Sequence, residues 1–93
     1  MSAVKDSDPG RLRRDPALPF QEVEGRAVVV VPGRREVHQL DEVGTFVWSA
    51  LGQSRSFEEL VRAVCAEFDV SEEGASKDLR PFLAELKAKG LLL

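Results

Sequence analysis

The sequence has few of the residues on which covalent and metal chemistry depend. Its 93 residues include one cysteine, Cys65, and one histidine, His38. A single cysteine cannot form an intramolecular disulfide or a cysteine-based metal site, and it fits a reducing compartment. Metal sites need several His or Cys ligands, and a nucleophilic triad needs a histidine with a nucleophile and an orienting group. We therefore expect no metal, no cofactor and no enzymatic activity.

Long apolar runs and excess basic charge are also missing. No run approaches the ~20 apolar residues that cross a bilayer, and the first 16 residues lack the apolar core of a secretory signal. We therefore expect a cytoplasmic protein with no membrane partner. The chain has 13 Lys and Arg against 16 Asp and Glu, a net charge of −3. An acidic domain is a poor candidate for binding nucleic acid.

The chain divides into a polar segment and one small domain. Residues 1–19 contain Arg11, Arg13 and Arg14 together with prolines and acidic residues, a composition typical of a flexible arm. Residues 20–93 are enough for a single core.

Residues 20–40 show the pattern of a β-sheet. The β-branched run Ala27–Val31 lies between the turn dipeptides Glu24-Gly25 and Pro32-Gly33, and the second of these suits a type II turn. Such short connections join antiparallel neighbours, so we expect a three-stranded meander whose third strand is an edge. The strands are expected at about residues 20–24, 26–31 and 35–40.

From Asp41 onward the apolar residues recur at helical spacing and predict three helices. Asp41, Ser56 and Ser71 are expected N-caps, and Glu59 completes a capping box with Ser56. Pro81 lies inside the third helix, where we expect one kinked helix because the apolar stripe continues across it. The predicted fold is α+β and winged-helix-like, a three-stranded antiparallel β-meander followed by three helices.

Several side chains are better explained by packing than by chemistry. Trp48 flanks the stripe of the first helix and is expected in the core, and Cys65 is expected to be a small buried hydrophobe. Leu40 is expected to anchor the turn into the Asp41 cap. Residues 36–39 then remain as a short exposed edge strand, which is a site for strand addition by a peptide.

Three stretches in this order and spacing resemble the PqqD family, which is named for pyrroloquinoline quinone (PQQ) biosynthesis. They are EVHQLDEVGTFVWSAL at the junction of strand and helix, SFEELVRAVCAEFDVSEE in the second helix and KDLRPFLAELKAKGLL in the third. Together they cover about residues 24–93.

The resemblance implies a RiPP recognition element, a non-catalytic peptide chaperone that serves ribosomally made, post-translationally modified peptides. In such a domain the leader of the precursor peptide adds as a fourth strand to the third strand, in a groove beside the third helix. The chaperone presents it to a modifying enzyme, which in the name-giving pathway is a radical S-adenosylmethionine enzyme. The implied pairing strand consists of Glu36, Val37, His38, Gln39 and Leu40.

The helix side of the groove depends on which flank of the third helix faces the strand. The flank that we call the first flank carries Ser76, Arg80, Leu83 and Lys87. The other, the second flank, carries Asp78, Phe82, Glu85 and Lys89. We predict the first flank, because two bases around a leucine suit an apolar peptide residue with acidic neighbours. The second flank remains the alternative, and Pro81 is expected to affect the shape of the groove.

Two other classes of function compete with peptide recognition. A winged-helix regulator would place the third helix on DNA, but four acids balance four bases over residues 72–89. A carrier protein would need a serine in a modification context at a helix start, and none is found. The sequence leaves open which precursor and enzyme are served, whether the pathway concerns PQQ or another peptide class, and whether the protein is a monomer or a dimer.

Overall fold

The structure, a computed structural model, describes residues 10–93. Its elements in chain order are β1 (Arg11–Leu12), β2 (Phe20–Val23), β3 (Arg26–Val31), a 3-10 turn (Pro32–Arg34), β4 (Glu36–Gln39), α1 (Glu42–Ala50), β5 (Arg55–Ser56), α2 (Phe57–Phe68) and α3 (Glu72–Ala88). The predicted α+β order of a three-stranded meander followed by three helices is confirmed.

The main sheet has the antiparallel order β2-β3-β4. Val29 in the central strand lies opposite Phe20 on one side and His38 on the other. Ala27, Val29 and Val31 are buried while the residues between them are not, as expected when side chains alternate between the two faces of a strand. One face of the sheet therefore packs against the helices, and the other face is exposed to solvent.

The two connections in the meander differ in geometry. Glu24 and Gly25 both have positive φ, 55° and 80°, as in the two-residue turns that match the twist of a β-hairpin. The predicted type II turn at Pro32-Gly33 is wrong. Pro32 instead begins a single 3-10 turn, for which its ring presets φ, and Arg35 takes the left-handed conformation at φ 54°.

The predicted helix caps are confirmed. Asp41 Oδ1 accepts a hydrogen bond from Gly44 N–H at 2.7 Å. Ser56 and Glu59 form the reciprocal capping box, with Ser56 N–H to Glu59 Oε1 at 2.9 Å and Glu59 N–H to Ser56 Oγ at 3.1 Å. Ser71 caps α3, which continues as a single helix across Pro81.

Trp48 lies at the centre of the core and has no exposed surface, as predicted. The ring of Phe20 meets it edge to face, with centroids 5.7 Å apart. The guanidinium of Arg14 lies 4.5 Å from the centroid of Phe20 and 5.4 Å from that of Trp48. A cation over aromatic rings adds to the apolar packing. Cys65 is half-buried against this core.

Residues 10–19, predicted to belong to a flexible arm, are instead attached to the domain. Strand β1 pairs with β5, and Asp15 N–H donates to Leu91 O at 3.0 Å. Leu12 and Leu18 pack against the core, and the burial of their apolar side chains favours the attachment. This corrects the prediction for residues 10–19. Residues 1–9 of the predicted arm lie outside the described residues.

Candidate functional site

The backbone of β4 offers hydrogen-bonding groups along the outer side of the sheet. Leu40 N–H donates to Ala27 O at 2.8 Å, so Leu40 directs its backbone groups toward β3. In an antiparallel pair this orientation alternates along the strand, so His38 also faces β3. Val37 and Gln39 therefore direct their N–H and C=O groups away from it. Within residues 10–93 no further strand pairs with that edge.

The side chains of β4 divide between the two faces of the sheet. His38 lies opposite Val29 on the helix-facing side, its side chain 17% exposed and its Nε2 3.1 Å from Glu36 Oε1. Val37 points to the open face and is 64% exposed. Leu40 is buried and anchors the turn into α1, as predicted. Of the five residues predicted for the pairing strand, four form β4 and the fifth fixes its end.

Two contacts show that the C-terminal half of α3 runs antiparallel beside β4. Before the strand, Arg34 Nη1 donates to Ala88 O at 3.1 Å. After the strand, the ring of Phe82 lies so close to Gly44 that a Cβ there would stand 3.1 Å from Phe82 Cζ. Because Gly44 bonds the Asp41 cap, residues 82–88 of α3 accompany the strand along its length. We call the space between β4 and this part of α3 the β4–α3 groove.

The second flank of α3 borders this groove. Phe82 belongs to that flank and touches α1 at the end of β4, and Asp78 lies one turn before it. Glu85 and Lys89 continue the flank toward Arg34 and form an ion pair at 3.4 Å. Of this flank, Phe82 meets Gly44 of α1, and Asp78 shares a cavity wall with Asp41 at the end of β4, while Glu85 and Lys89 lie on the same side of α3.

The first flank, which the sequence analysis preferred, lies on the other side of α3. Ser76 and Arg80 line a hollow with the first turn of α2, and the Arg80 guanidinium lies 4.6 Å from the centroid of Phe57. Leu83 is buried and faces a second hollow beside Leu12 of β1. Lys87 is exposed. The structure does not bring these four residues together with β4.

A cavity of about 240 Å³ opens at the Asp41 end of the groove. Such a volume is below the roughly 300–1,000 Å³ of pockets for small molecules, while an apolar cavity of about 150 Å³ already admits benzene. The cavity therefore suits one large side chain rather than a free cofactor. Its walls are mostly apolar, and the charged residues among them are two aspartates. The lining consists of Asp41, Val43, Gly44, Val64, Phe68, Val70, Ala75, Asp78, Leu79 and Phe82.

Sequence reasoning missed this cavity because it is built from three separate helices. Two exposed apolar residues at its mouth were the available signal. Val43 is the first residue of the apolar stripe of α1 but is 38% exposed. Val70 follows α2 and is 44% exposed. Large apolar side chains left in solvent beside a concave surface mark binding sites more often than isolated ones do.

The described part of the chain shows no arrangement for metal or membrane. Among residues 10–93, no group of three or more His, Cys, Asp and Glu side chains is placed to hold a metal ion. No helix in the same range is long and apolar enough to cross a membrane.

Comparison with known proteins gives the family. The family model described as "Coenzyme PQQ synthesis protein D (PqqD)" matches residues 26–92. The chain belongs to the PqqD family. A search of the curated proteins finds no match.

Two solved structures are similar to this PqqD-family chain. One is "TbiB1 in Complex with the TbiA(beta) Leader Peptide", with a TM-score of 0.78 and 32% identity over 86% of this chain and 93% of that one. The other is the solution NMR structure of the PqqD truncation of Methylobacterium extorquens PqqCD, described as a functional, stand-alone RiPP recognition element. It has a TM-score of 0.74 and 17% identity over 97% of this chain and 98% of that one, and shows a shared fold.

Proposed function

We propose that this protein is a non-catalytic peptide chaperone. It binds the leader of a ribosomally made precursor peptide by strand addition to β4 and presents that peptide to a modifying enzyme. The observation that carries the proposal is the row of outward backbone groups at Val37 and Gln39, beside a groove closed by α3. Membership of the PqqD family and the 32% identity to TbiB1, a protein solved with a leader peptide, support it.

The proposed binding surface combines β4 with the second flank of α3. On the strand it retains the predicted residues Glu36, Val37, His38, Gln39 and Leu40. On the helix we replace the first flank with Asp78, Phe82, Glu85 and Lys89. The contact of Phe82 with Gly44, just after β4, supports this choice of flank.

In strand addition, affinity and specificity come from different groups of the binding surface. Each backbone hydrogen bond to the guest contributes a net ~1 kcal/mol and does not depend on the guest's side chains. Selection among peptides then falls to the side chains that line the groove and to the cavity at its end. A short edge of two outward-facing residues needs such an anchor, because few backbone bonds are available.

The decisive experiment replaces Val37 by proline. Proline removes the outward N–H of Val37 and leaves the bonds between β4 and β3 intact, since an edge position with its N–H in solvent tolerates proline. We expect Val37→Pro to weaken binding of the precursor leader by about tenfold or more, because one hydrogen bond is lost and the ring obstructs the next strand. Fluorescence anisotropy measures this with the labelled leader of a candidate precursor, a short peptide whose gene neighbours that of this protein.

Val37→Ala is the matched control, since it shortens the same exposed side chain and keeps the N–H. We expect it to bind within about threefold of the wild type. Circular dichroism melting of both variants verifies that the domain is folded. Leader binding that is the same in Val37→Pro as in Val37→Ala would refute strand addition at β4.

The remaining parts of the proposal concern partners. We propose that the modifying enzyme is of the radical S-adenosylmethionine type and that the pair works in the cytoplasm, for PQQ or another peptide class. Co-purification of this protein with a modifying enzyme encoded beside it, in the presence and absence of the precursor, tests that pairing. No observation favours the DNA-binding alternative.

A further inference from the structure

The β4–α3 groove has opposite charges at its two ends. At the cavity end, Asp41 and Asp78 are the charged residues of the lining. At the other end lie Arg34, whose side chain reaches Ala88, with Arg35 next to it and Lys89 at the end of α3. From Arg35 to Asp41 the chain advances six residues, on the order of 20 Å for a strand. A guest strand therefore meets carboxylates at one end and cationic groups at the other.

The two aspartates are available to a guest. Both are exposed, and neither forms an ion pair with a basic side chain of residues 10–93. Oδ1 of Asp41 accepts the bond from Gly44 N–H, so its second oxygen is free of that cap. By contrast, Glu85 in the middle of the groove is paired with Lys89. Glu36 at the opposite end contacts His38 and adjoins Arg34 and Arg35 in the chain, so the carboxylates of the groove without a basic neighbour are those at the mouth of the cavity.

Given the proposed function, we infer that the peptide recognised here carries a large apolar side chain, of aromatic size, with a lysine or arginine two positions away on the same face of the strand. The apolar side chain enters the cavity of about 240 Å³, and the basic side chain lies at the mouth between Asp41 and Asp78. The cationic groups at the opposite end repel a basic residue there and so fix which end of the groove it occupies. The chemistry selected is an apolar–basic pair within a strand.

The test uses a displayed library of random twelve-residue peptides, selected on the immobilised full chain. Two protein variants with matched charge are compared with the wild type. Asp41→Asn with Asp78→Asn removes two negative charges at the cavity and keeps a capping residue at 41. Glu58→Gln with Glu72→Gln removes two negative charges from the hollow on the far side of α3. We expect Lys or Arg two positions from an aromatic residue in peptides selected by the wild type and the control, but not by the cavity variant.

A double-mutant cycle then measures the contact itself. The best selected peptide and its Lys→Gln or Arg→Gln version are titrated against wild type and cavity variant by fluorescence anisotropy. We expect either change alone to weaken binding by about fivefold, and both together to weaken it by no more, since each removes the same exposed charge pair. Raising the salt concentration should reduce the difference.

The outcomes separate this inference from the proposed function. Selected peptides that lose binding on Val37→Pro, yet show no basic enrichment and no coupling in the cycle, would overturn the inference and leave strand addition standing. If the wild-type chain enriches no peptide whose binding is weakened by Val37→Pro, both the inference and the proposed function are overturned.

Discussion

A single glycine controls how closely α3 approaches α1 at the candidate site. Gly44 is buried, and a Cβ there would stand 3.0 Å from Asp41 Oδ1 and 3.1 Å and 3.2 Å from two ring atoms of Phe82. These separations are below ordinary van der Waals contact, so a side chain at 44 displaces the ring of Phe82. Since Phe82 lines both the groove and the cavity, Gly44 determines the shape of the binding surface.

We expect Gly44→Ala to weaken peptide binding and lower stability. Alanine gains about 1 kcal/mol of helix propensity over glycine, but overpacking against Phe82 costs about 1–3 kcal/mol. Urea unfolding measures the first effect and leader titration the second. In a Phe82→Leu background the same substitution should cost less stability, because the ring is gone and only the approach to Asp41 Oδ1 remains. A Gly44→Ala protein that is more stable and binds equally well would contradict this account.

The two residues that occur once, His38 and Trp48, have structural explanations. Trp48 is enclosed by Phe20, Arg14 and the other core residues, and one large ring of this kind fills the centre of a small core. The ring of His38 is oriented by Glu36 and lies on the helix-facing side of an edge strand. A guest strand added to β4 would cover this ring further. His38 is thus a neighbour of the proposed peptide rather than a catalytic group.

Among the elements, the N-terminal segment has a role that its composition did not indicate. It connects two distant parts of the fold, since Arg14 N–H donates to Leu51 O at 2.9 Å, Asp15 N–H to Leu91 O, and Leu93 N–H to Arg13 O at 2.9 Å. It therefore joins the end of α1 to the residues after α3. Such a connection stabilises the orientation of α3, on which the groove depends.

We expect a chain that begins at Phe20 to be less stable by about 3 kcal/mol or more. It loses the burial of Leu12 and Leu18 and several backbone hydrogen bonds, at roughly 1.5–3 kcal/mol for a leucine and about 1 kcal/mol for a bond. Urea unfolding monitored by Trp48 fluorescence measures the loss. The full chain with Leu12→Ala and Leu18→Ala isolates the apolar share. An unchanged unfolding midpoint in the shortened chain would show that the segment contributes nothing.

The comparison of sequence with structure separates local features from those set by packing. The caps at Asp41, Ser56 and Ser71 and the strands around residues 27–31 were predictable, because each depends on residues within four positions. The rotation of α3 was not, because its two flanks are nearly symmetrical about the apolar stripe. The contact of Phe82 with Gly44 sets it, and that contact is long-range. Attachment of residues 10–19 was missed for the same reason.

For the whole molecule, the acidic excess bears on both partners and pH. A net charge of −3, with carboxylates at the mouth of the cavity, favours the approach of basic peptide segments over that of nucleic acid. The acidic side chains do not contribute equally to the stability of the fold. Glu59 belongs to the capping box and lies 3.4 Å from Arg11 of β1, so one carboxylate connects the N-terminal segment to the start of α2.

This carboxylate gives the fold a predictable dependence on acid. The hydrogen bond from Ser56 N–H lowers the pKa of Glu59 below its ordinary 4.5 against the opposing effect of desolvation, and Arg11, Arg55 and Arg62 lower it further. A group whose pKa is lower in the folded state stabilises the fold above its unfolded pKa. That contribution is lost as the pH falls through the folded value. Glu59 therefore contributes fully at neutral pH, and its contribution declines below pH 4.5 as the pH approaches the lower pKa of the folded state.

We expect Glu59→Gln to lower the melting temperature at pH 7 and to converge with the wild type as the pH falls below 4. Glutamine can still close the capping box, so the change removes mainly the charge that Arg11 contacts. Glu58→Gln, which alters the neighbouring charge and leaves the capping box intact, is the matched control for net charge. Thermal melts by circular dichroism at pH 7, 5, 4 and 3 follow the three proteins. A constant gap between Glu59→Gln and the wild type over that range would mean that the ionised carboxylate is not what stabilises the start of α2.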